Sequence, residues 1–214
     1  MPLYLKSLLN EQPQYDIDKN IGILLGNTDA KEWITIISNP HCAPCARLHP
    51  QIEELLKEYK EEICIQIVLT SFSKELEPSA MLLTSMYLLN KESDYLRFLS
   101  DWYTKERHKR EGCYKRYKLN LNDKEMLANI QAQNEWVKRN TISSTPTILI
   151  NGYLLPEEYE LKDMSYLNKL STMNKLASQI DSLNKHLIGS LHTSYPFGFG
   201  SWQNGITHLF IPFV

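Results

Sequence analysis

Hydrophobic positions change their period twice in the first third of the chain. Glu32–Ser38, "EWITIIS", is apolar at successive positions, which is typical of a strand covered on both faces. Asn39-Pro40 ends this strand, and from Cys42 the apolar residues recur at helical spacing. Ile63–Leu69, "ICIQIVL", then returns to alternation. Strand, helix and strand of these lengths predict a βαβ unit with parallel strands.

The middle of the chain favours helix instead of strand. Three stretches, Leu76–Asn90, Asp94–Lys105 and Lys124–Arg139, contain few β-branched residues. Residues 74–140 are therefore predicted to form a helical block that is inserted between two halves of an α/β domain.

A second strand region follows this block. Thr145–Pro156, "TPTILINGYLLP", predicts two short strands joined at Asn151-Gly152, the dipeptide best suited to a tight type I′ turn. Within residues 161–187, leucines and other apolar residues recur at helical spacing, which predicts helix. The fold class is accordingly α/β: a βαβ unit, a helical insertion, a β-hairpin and a helix.

These elements suggest three segments. Residues 1–28 are expected to be an N-terminal extension, and residues 29–188 the α/β domain with its insertion. Residues 189–214 contain aromatic and glycine residues but no Asp, Glu, Lys or Arg. We expect this tail to be a poorly ordered appendage, with an edge strand or a partner-binding segment as alternatives.

Composition and charge narrow the class of protein. The chain has 214 residues, 43% of them hydrophobic and 22% charged, as in an ordinary soluble globular protein. A net charge of -2 gives no global reason to expect nucleic acid or an anionic membrane as a partner. The first residues lack the pattern of an export signal, and no run approaches the ~20 apolar residues of a membrane span.

Two cysteines at the start of the predicted helix carry the candidate chemistry. In "HCAPCARLHP", Cys42 lies where a first helical turn presents unpaired N–H groups and the positive end of the helix dipole. Both favour a thiolate, so Cys42 is predicted to be the attacking nucleophile, assisted by a protonated His41. Cys45 lies on the same helical face, close enough to form a disulfide with Cys42. Pro44 is tolerated because its missing N–H has no partner this early in a helix.

This arrangement resembles the thioredoxin family. Cys-x-Pro-Cys follows a buried strand, and Pro50 inside the helix predicts a kink, a trait of active-site helices in that fold. "SSTPTILING" is similar to the family's second motif, in which a Thr-Pro like Thr145-Pro146 has a cis proline against the cysteine pair. The helical insertion resembles the DsbA-like branch. The residues around both motifs are most similar to those of bacterial thioredoxin-like domains associated with vitamin K epoxide reductase modules.

The resemblance implies a thiol–disulfide oxidoreductase that needs no bound cofactor. Cys42 would attack a disulfide in a protein or peptide, Cys45 would resolve the mixed disulfide, and Thr145 with Pro146 would dock the substrate. Relatives of this kind work in the periplasm or cell envelope, and a membrane redox partner of the vitamin K epoxide reductase type is implied. Oxidase, reductase and isomerase share such a pair and differ in reduction potential, so the direction stays open.

The sequence departs from the family pattern at one important position. Many relatives have a buried carboxylate six residues before the first cysteine, where this chain has Ile36. Glu32 and Glu53 are not obvious substitutes for it.

The cysteines also allow other interpretations. A structural zinc site usually needs four N or S ligands, and only His41 and His49 stand near the pair, so no metal is predicted. Cys64 is expected to be a small core residue. Cys113 lies within a basic run, residues 105–118 ("KERHKREGCYKRYK"), whose Lys and Arg side chains would lower its pKa. It is expected to be an unpaired surface or semi-buried thiol, with a regulatory disulfide as a minor alternative. A non-catalytic adaptor and an electron carrier for a membrane partner remain the functional alternatives. The basic run is interpreted as a solvated helix face, not as a nucleic-acid site.

Overall fold

A computed structural model describes residues 8–164 and, individually, Gln179 and Leu183. The chain divides into two units, Met1–Ser171 and Thr172–Val214, and every element below belongs to the first. Most of the predicted helical stretch 161–187 and the whole tail 189–214 lie outside the described residues. The boundaries 1–28, 29–188 and 189–214 remain predictions.

The first half is the predicted βαβ unit, preceded by one further strand. Its elements are β1 (Ile23–Gly26), β2 (Glu32–Ser38), α1 (Ala43–Tyr59) and β3 (Ile63–Leu69). β2 and β3 pair in parallel, with Ile34 opposite Ile65 and Ser38 opposite Leu69. The prediction of a βαβ unit is confirmed, and both strands have the predicted bounds.

β1 was not predicted. It lies within the segment interpreted as an N-terminal extension and pairs antiparallel with the outer edge of β3, with Leu25 opposite Ile65. The strand has only four residues, too few for a clear alternating pattern. Its place in the sheet depends on the free edge of β3, which is a tertiary feature.

The helical insertion is also confirmed. It contains α2 (Glu77–Leu89), α3 (Glu92–Thr104), a 3₁₀ helix (Glu106–Lys109), α4 (Arg110–Arg116) and α5 (Lys124–Arg139). Asp123 caps α5, because its carboxylate accepts a hydrogen bond from Met126 N at 2.8 Å. The basic run, which its sequence predicts to be one helix face, is divided between the 3₁₀ helix and α4.

The predicted hairpin consists of β4 (Thr147–Ile150) and β5 (Tyr153–Leu154). Asn151 and Gly152 have φ values of 50° and 87°, as the two central positions of a type I′ turn require. Asn151 also anchors the hairpin, since its Oδ1 accepts the N–H of Trp33 at 2.8 Å.

The five strands form one sheet in the order β1-β3-β2-β4-β5. β2 therefore lies at the centre, between a parallel neighbour and the antiparallel β4. Ile34 and Ile36 belong to the larger hydrophobic cluster, which includes residues of α1 and of the insertion, whereas Ile37 belongs to a second cluster with Trp136 of α5. Both faces of β2 are covered, as its continuous apolar run predicts.

Within the described part of the chain, none of the helices has the length and apolar character that a membrane span requires.

Candidate functional site

Cys42 is the N-cap of α1, immediately before its first helical residue. Its backbone is extended, with φ −73° and ψ 126°, and its Sγ accepts the N–H of Cys45 at 3.5 Å. The sulfur thus partners one of the N–H groups that a helix start leaves without an intrahelical acceptor. Cys42 is half-buried, so a substrate sulfur can approach it.

Cys45 lies one turn further into α1 and is only 3% exposed. Burial raises the pKa of its thiol to about 11. A hydrogen bond from Asn39 N, 3.5 Å from Cys45 Sγ, opposes this effect. The pair therefore consists of an accessible sulfur and a shielded one.

The backbone of Thr145 lies against the outer sulfur. The Thr145–Pro146 peptide bond is cis, and the Cys42 thiol donates to the Thr145 carbonyl oxygen at 3.4 Å. The structure thus brings together two motifs that are about a hundred residues apart in the sequence. The insertion reaches the same place, since Arg107 Nη1 donates to the Cys42 carbonyl oxygen at 3.4 Å.

His41, the residue before Cys42, lies against the helical insertion. Its Nε2 lies 2.6 Å from Ser79 Oγ. Burial is the main cause that lowers the pKa of His41 below the ordinary value of 6.5, and the nearby charges of Arg110, Arg107 and His108 lower it further. A protonated His41 is therefore disfavoured near neutral pH. Burial therefore works against the expected assistance from a protonated His41, and the role of this residue beside Cys42 remains a prediction.

One proline before the cysteine pair and one within it have different settings. Pro44 is exposed in the first turn of α1, where the absence of its N–H leaves no carbonyl without a partner. The carbonyl oxygen of Pro40 is buried at the end of the preceding loop and accepts the indole N–H of Trp102 at 2.9 Å. Trp102 belongs to α3, so the insertion supports the loop that leads into Cys42.

The position of the family's carboxylate is apolar here, as the sequence indicates. Ile36 is buried in the larger core cluster. Glu32 accepts a hydrogen bond from Asn151 Nδ2 at 2.8 Å, and Glu53 lies 3.0 Å from Nε2 of the buried His49. Burial lowers the pKa of His49, although the nearby Glu53 carboxylate partly opposes this effect.

Several residues at the site were not found by sequence reasoning. Ser38 had a weak signal, because it is the last residue of a strand that leads to the cysteines. Trp102, Tyr103 and Arg107 had none, since their proximity to the pair depends on how the insertion folds back onto the sheet.

The other two cysteines are buried away from this pair of motifs. Cys64 is completely buried in β3, as expected for a small core residue. Cys113 is also completely buried, in α4, and burial raises its pKa to about 11. The expectation of a more exposed thiol with lowered pKa is wrong, because desolvation and Glu106 outweigh the nearby Arg116.

No group of three or more His, Cys, Asp or Glu side chains within the described residues has the arrangement of a metal site. All four cysteines have free thiols in the structure.

The family of the chain follows from comparison with known proteins. A family model described as Thioredoxin matches residues 18–169, which is more than half of the chain. The chain belongs to the thioredoxin family. Family membership, together with the adjacent thiols of Cys42 and Cys45, identifies the protein as a thiol–disulfide oxidoreductase. A comparison with curated protein sequences gives no match.

Solved structures share the fold at low sequence identity. BdbD from Bacillus subtilis, in its oxidised form, is 15% identical with a TM-score of 0.57, over 74% of this chain and 94% of that one. The catalytic domain of ScsC from Proteus mirabilis is 19% identical with a TM-score of 0.56, over 73% and 90%. The α-DsbA1 of Wolbachia pipientis is 16% identical with a TM-score of 0.55, over 76% and 96%. These likenesses support the DsbA-like architecture with its helical insertion.

Proposed function

We propose that the protein exchanges disulfides with protein or peptide cysteines through Cys42 and Cys45. The observation that carries the proposal is the unequal pair: Cys42 Sγ is accessible at the start of α1, and Cys45 is shielded one turn below. Only the outer sulfur can meet a large substrate. The inner one is placed to act afterwards, within the protein.

The proposed cycle has two displacement steps. The Cys42 thiolate attacks one sulfur of a substrate disulfide, the substrate S–S bond breaks, and the departing thiolate takes a proton from water. Cys45 then gives its proton to solvent and attacks Cys42 Sγ, which releases the second substrate thiolate and leaves a Cys42–Cys45 disulfide. Two electrons pass from protein to substrate, and the reverse sequence oxidises a dithiol.

Thr145 and Pro146 are proposed to receive the substrate backbone. The Thr145 carbonyl oxygen lies 3.4 Å from Cys42 Sγ, so an extended peptide placed along this edge has its sulfur next to the nucleophile. Arg107, whose guanidinium donates to the Cys42 carbonyl oxygen, is a nearby cation and is proposed to favour substrates with acidic residues beside the reacting cysteine.

Substitution of each cysteine tests the assigned roles. Cys42→Ser is expected to abolish insulin reduction, and Cys45→Ser to accumulate mixed disulfides that non-reducing gels and mass spectrometry detect. The matched control is Cys113→Ala, which removes a buried thiol outside the pair and should retain activity. Accessible thiols without any exchange activity would instead favour the non-catalytic adaptor.

The direction of electron flow requires a second measurement. Equilibration of the Cys42/Cys45 pair with glutathione gives its reduction potential; a value of about -270 mV indicates a reductant and one of about -120 mV an oxidant. A membrane redox partner of the vitamin K epoxide reductase type remains a prediction, and co-purification with an integral membrane protein tests it.

A further inference from the structure

A chain of three polar side chains leads from the insertion to the residue before Cys42. Tyr114 OH lies 2.6 Å from Ser79 Oγ, and Ser79 Oγ lies 2.6 Å from His41 Nε2. Ser79 of α2 is completely buried, whereas Tyr114 of α4 and His41 are half-buried. The backbone of His41 is held as well, because its N–H donates to Asn39 Oδ1 at 2.9 Å. These contacts fix both the position and the orientation of the His41 ring.

The direction of these hydrogen bonds follows from what each group can donate and accept. If Tyr114 donates to Ser79 and Ser79 donates to Nε2 of His41, both hydroxyl hydrogens are used within the chain. The reverse direction would leave the Tyr114 hydroxyl hydrogen without an acceptor among the described residues. Burial raises the pKa of Tyr114 above its usual value, so the phenol keeps the hydrogen that it donates. Nε2 is therefore the acceptor nitrogen, and in a neutral imidazole the proton then lies on Nδ1.

The N–H at Nδ1 of His41 is open to a ligand. No hydrogen bond joins this nitrogen to another residue in the described part of the chain, and it is not one of the buried polar atoms that lack a partner. It therefore reaches the surface, on the residue that directly precedes the nucleophile Cys42. Since the ring is fixed through its other nitrogen, it presents an N–H donor beside the sulfur to which a substrate becomes attached.

The surroundings of the His41 ring keep it uncharged. The charged or ionisable side chains near it are Arg110 of α4 and Arg107 and His108 of the 3₁₀ helix, and they add to the effect of burial, which is the main cause of its lowered pKa. From α3 the ring meets only the uncharged indole of Trp102, edge-on at a centroid distance of 5.8 Å. A fixed, uncharged N–H stabilises a negative charge that develops beside it, and it does so without a change in its own ionisation.

We propose that His41 is a further catalytic residue, whose uncharged Nδ1–H donates to the substrate sulfur that leaves Cys42 in the resolving step. Ser79 and Tyr114 are positioning residues that hold this tautomer, and the proposal rests on the exchange function proposed above. The Cys45 thiolate attacks Cys42 Sγ, and the bond from Cys42 to the substrate sulfur breaks. That sulfur takes the bonding electron pair, departs as a thiolate that accepts the His41 N–H, and gains a proton from water. The imidazole neither gains nor loses a proton.

The leaving sulfur can be varied by forming the mixed disulfide with glutathione disulfide or with the aromatic disulfide DTNB. Glutathione leaves as a basic alkyl thiolate, whereas the aromatic thiolate is less basic and needs less stabilisation. In His41→Phe the release of glutathione should slow about tenfold at pH 7, as expected for the loss of a hydrogen bond to a charged group, and the release of the aromatic thiolate far less. His41→Asn, whose amide N–H replaces the one at Nδ1, should restore much of the rate. Acid quenching with mass spectrometry follows the glutathione adduct, and absorbance follows the aromatic thiolate.

Alkylation shows whether His41 acts on the substrate sulfur or on Cys42 itself. Iodoacetamide modifies Cys42 in a reaction from which no substrate sulfur departs, so its rate should be unchanged in His41→Phe. A parallel fall in alkylation, or an equal slowing of the alkyl and aromatic leaving groups, would place the effect on the sulfur of the protein and overturn the proposal.

The tautomer of His41 is measured without any exchange reaction. Long-range ¹H–¹⁵N spectra of protein with ¹⁵N-labelled histidine distinguish Nδ1–H from Nε2–H rings, and His41→Phe identifies the signals of this ring among those of the six histidines. We expect the Nδ1–H form in the wild type. Ser79→Ala should shift the ring towards the Nε2–H form and slow the release of glutathione in parallel, because the donor to Nε2 is lost.

Thr84→Val is the matched control for Ser79→Ala. Thr84 is another completely buried residue of α2, and its hydroxyl has no hydrogen-bond partner among the described residues. Its substitution should change neither the spectra nor the release of glutathione, and equal effects in the two variants would overturn the proposal.

The spectra also separate this proposal from the exchange function. A wild-type His41 in the Nε2–H form, or protonated at pH 7, refutes the proposal even if the protein exchanges disulfides normally. Absence of exchange in the wild type refutes the proposed function and with it the catalytic role of His41, while an Nδ1–H ring would still show that Ser79 and Tyr114 hold the tautomer.

Discussion

Cys42 and Cys45 are three residues apart, yet their sulfur atoms meet different surroundings. Cys42 Sγ faces the Thr145 carbonyl at a partly open edge, whereas Cys45 Sγ is enclosed by Ser38, Asn39 and the helix. The difference arises at the helix start, because Cys42 caps α1 beside the Thr145 carbonyl, whereas Cys45, one turn later, belongs to the buried core cluster.

This contrast predicts selective alkylation. A thiol with a pKa of about 11 in place of 9.0 has roughly a hundredth as much thiolate at pH 7.5, and the buried Cys45, Cys64 and Cys113 are all of this kind. We expect iodoacetamide to modify Cys42 in the reduced native protein long before the other three thiols. Peptide mass spectrometry of timed samples measures the four rates.

Denatured protein is the control for that experiment, since all four cysteines should then react alike. Native labelling of Cys113 as fast as Cys42 would contradict the burial seen in α4. Reaction of the other buried thiols should accelerate only as the pH approaches 11, or as the protein unfolds.

At the scale of elements, α1 contains an unusual residue. Pro50 lies inside the helix, where it cannot donate to the carbonyl oxygen of Ala46, and its ring is exposed to solvent. The helix nevertheless continues to Tyr59, because its inner face, with Ile52, Leu55 and Leu56, packs into the larger core cluster. Tertiary packing therefore overrides the tendency of a proline to end the helix in which it lies.

Pro50→Ala is expected to raise the free energy of unfolding by about 2 kcal/mol. Alanine restores the missing hydrogen bond and is ~3 kcal/mol more favourable than proline in a helix interior, although greater freedom of the unfolded chain offsets part of the gain. Urea unfolding followed by circular dichroism measures the difference.

Glu54→Ala is the comparison within the same helix, since Glu54 is also exposed on α1 and its substitution should change stability by less than about 0.5 kcal/mol. A less stable Pro50→Ala protein would mean that the shape imposed by proline contributes to the packing of α1 against the sheet.

At the scale of the whole molecule, the insertion and the sheet meet at the site. Trp102 of α3 donates its indole N–H to the Pro40 carbonyl oxygen at 2.9 Å, and its ring meets that of His41 edge-on at a centroid distance of 5.8 Å. A helix that is distant in sequence thus holds the loop immediately before Cys42.

Trp102→Phe should therefore reduce both stability and exchange. The substitution leaves a buried carbonyl without its donor and a small cavity, which together cost about 2–4 kcal/mol. Because the Pro40 loop loses its support, kcat/KM for insulin reduction should also fall at temperatures where the protein remains folded.

Trp136→Phe separates the two effects. Trp136 is also buried, and its indole N–H also donates to a backbone carbonyl, that of Asp16, at 3.0 Å. It belongs to the second hydrophobic cluster, with Ile37 and Val68. We expect a similar loss of stability with exchange unchanged; an equal loss of exchange in both variants would refute a special link through Trp102.

The elements that the sequence determined are those with strong local signals. The continuous apolar runs of β2 and β3, the helical spacing from Cys42 and the Asn151-Gly152 turn depend on neighbouring residues, and all three appear where predicted. The two cysteines were identifiable for the same reason, because the start of a helix and a spacing of three residues are local properties.

Contacts between distant segments were decided only by the tertiary structure. The four residues of β1 become a strand by pairing with β3, and Cys113 is buried because α4 packs into the core. Tyr103 reaches Ser38 across 65 positions of sequence, and burial lowers the pKa of His41 in a manner that its neighbours in the chain do not indicate. Burial and desolvation depend on what covers a residue, and here the covering groups come from elsewhere in the chain.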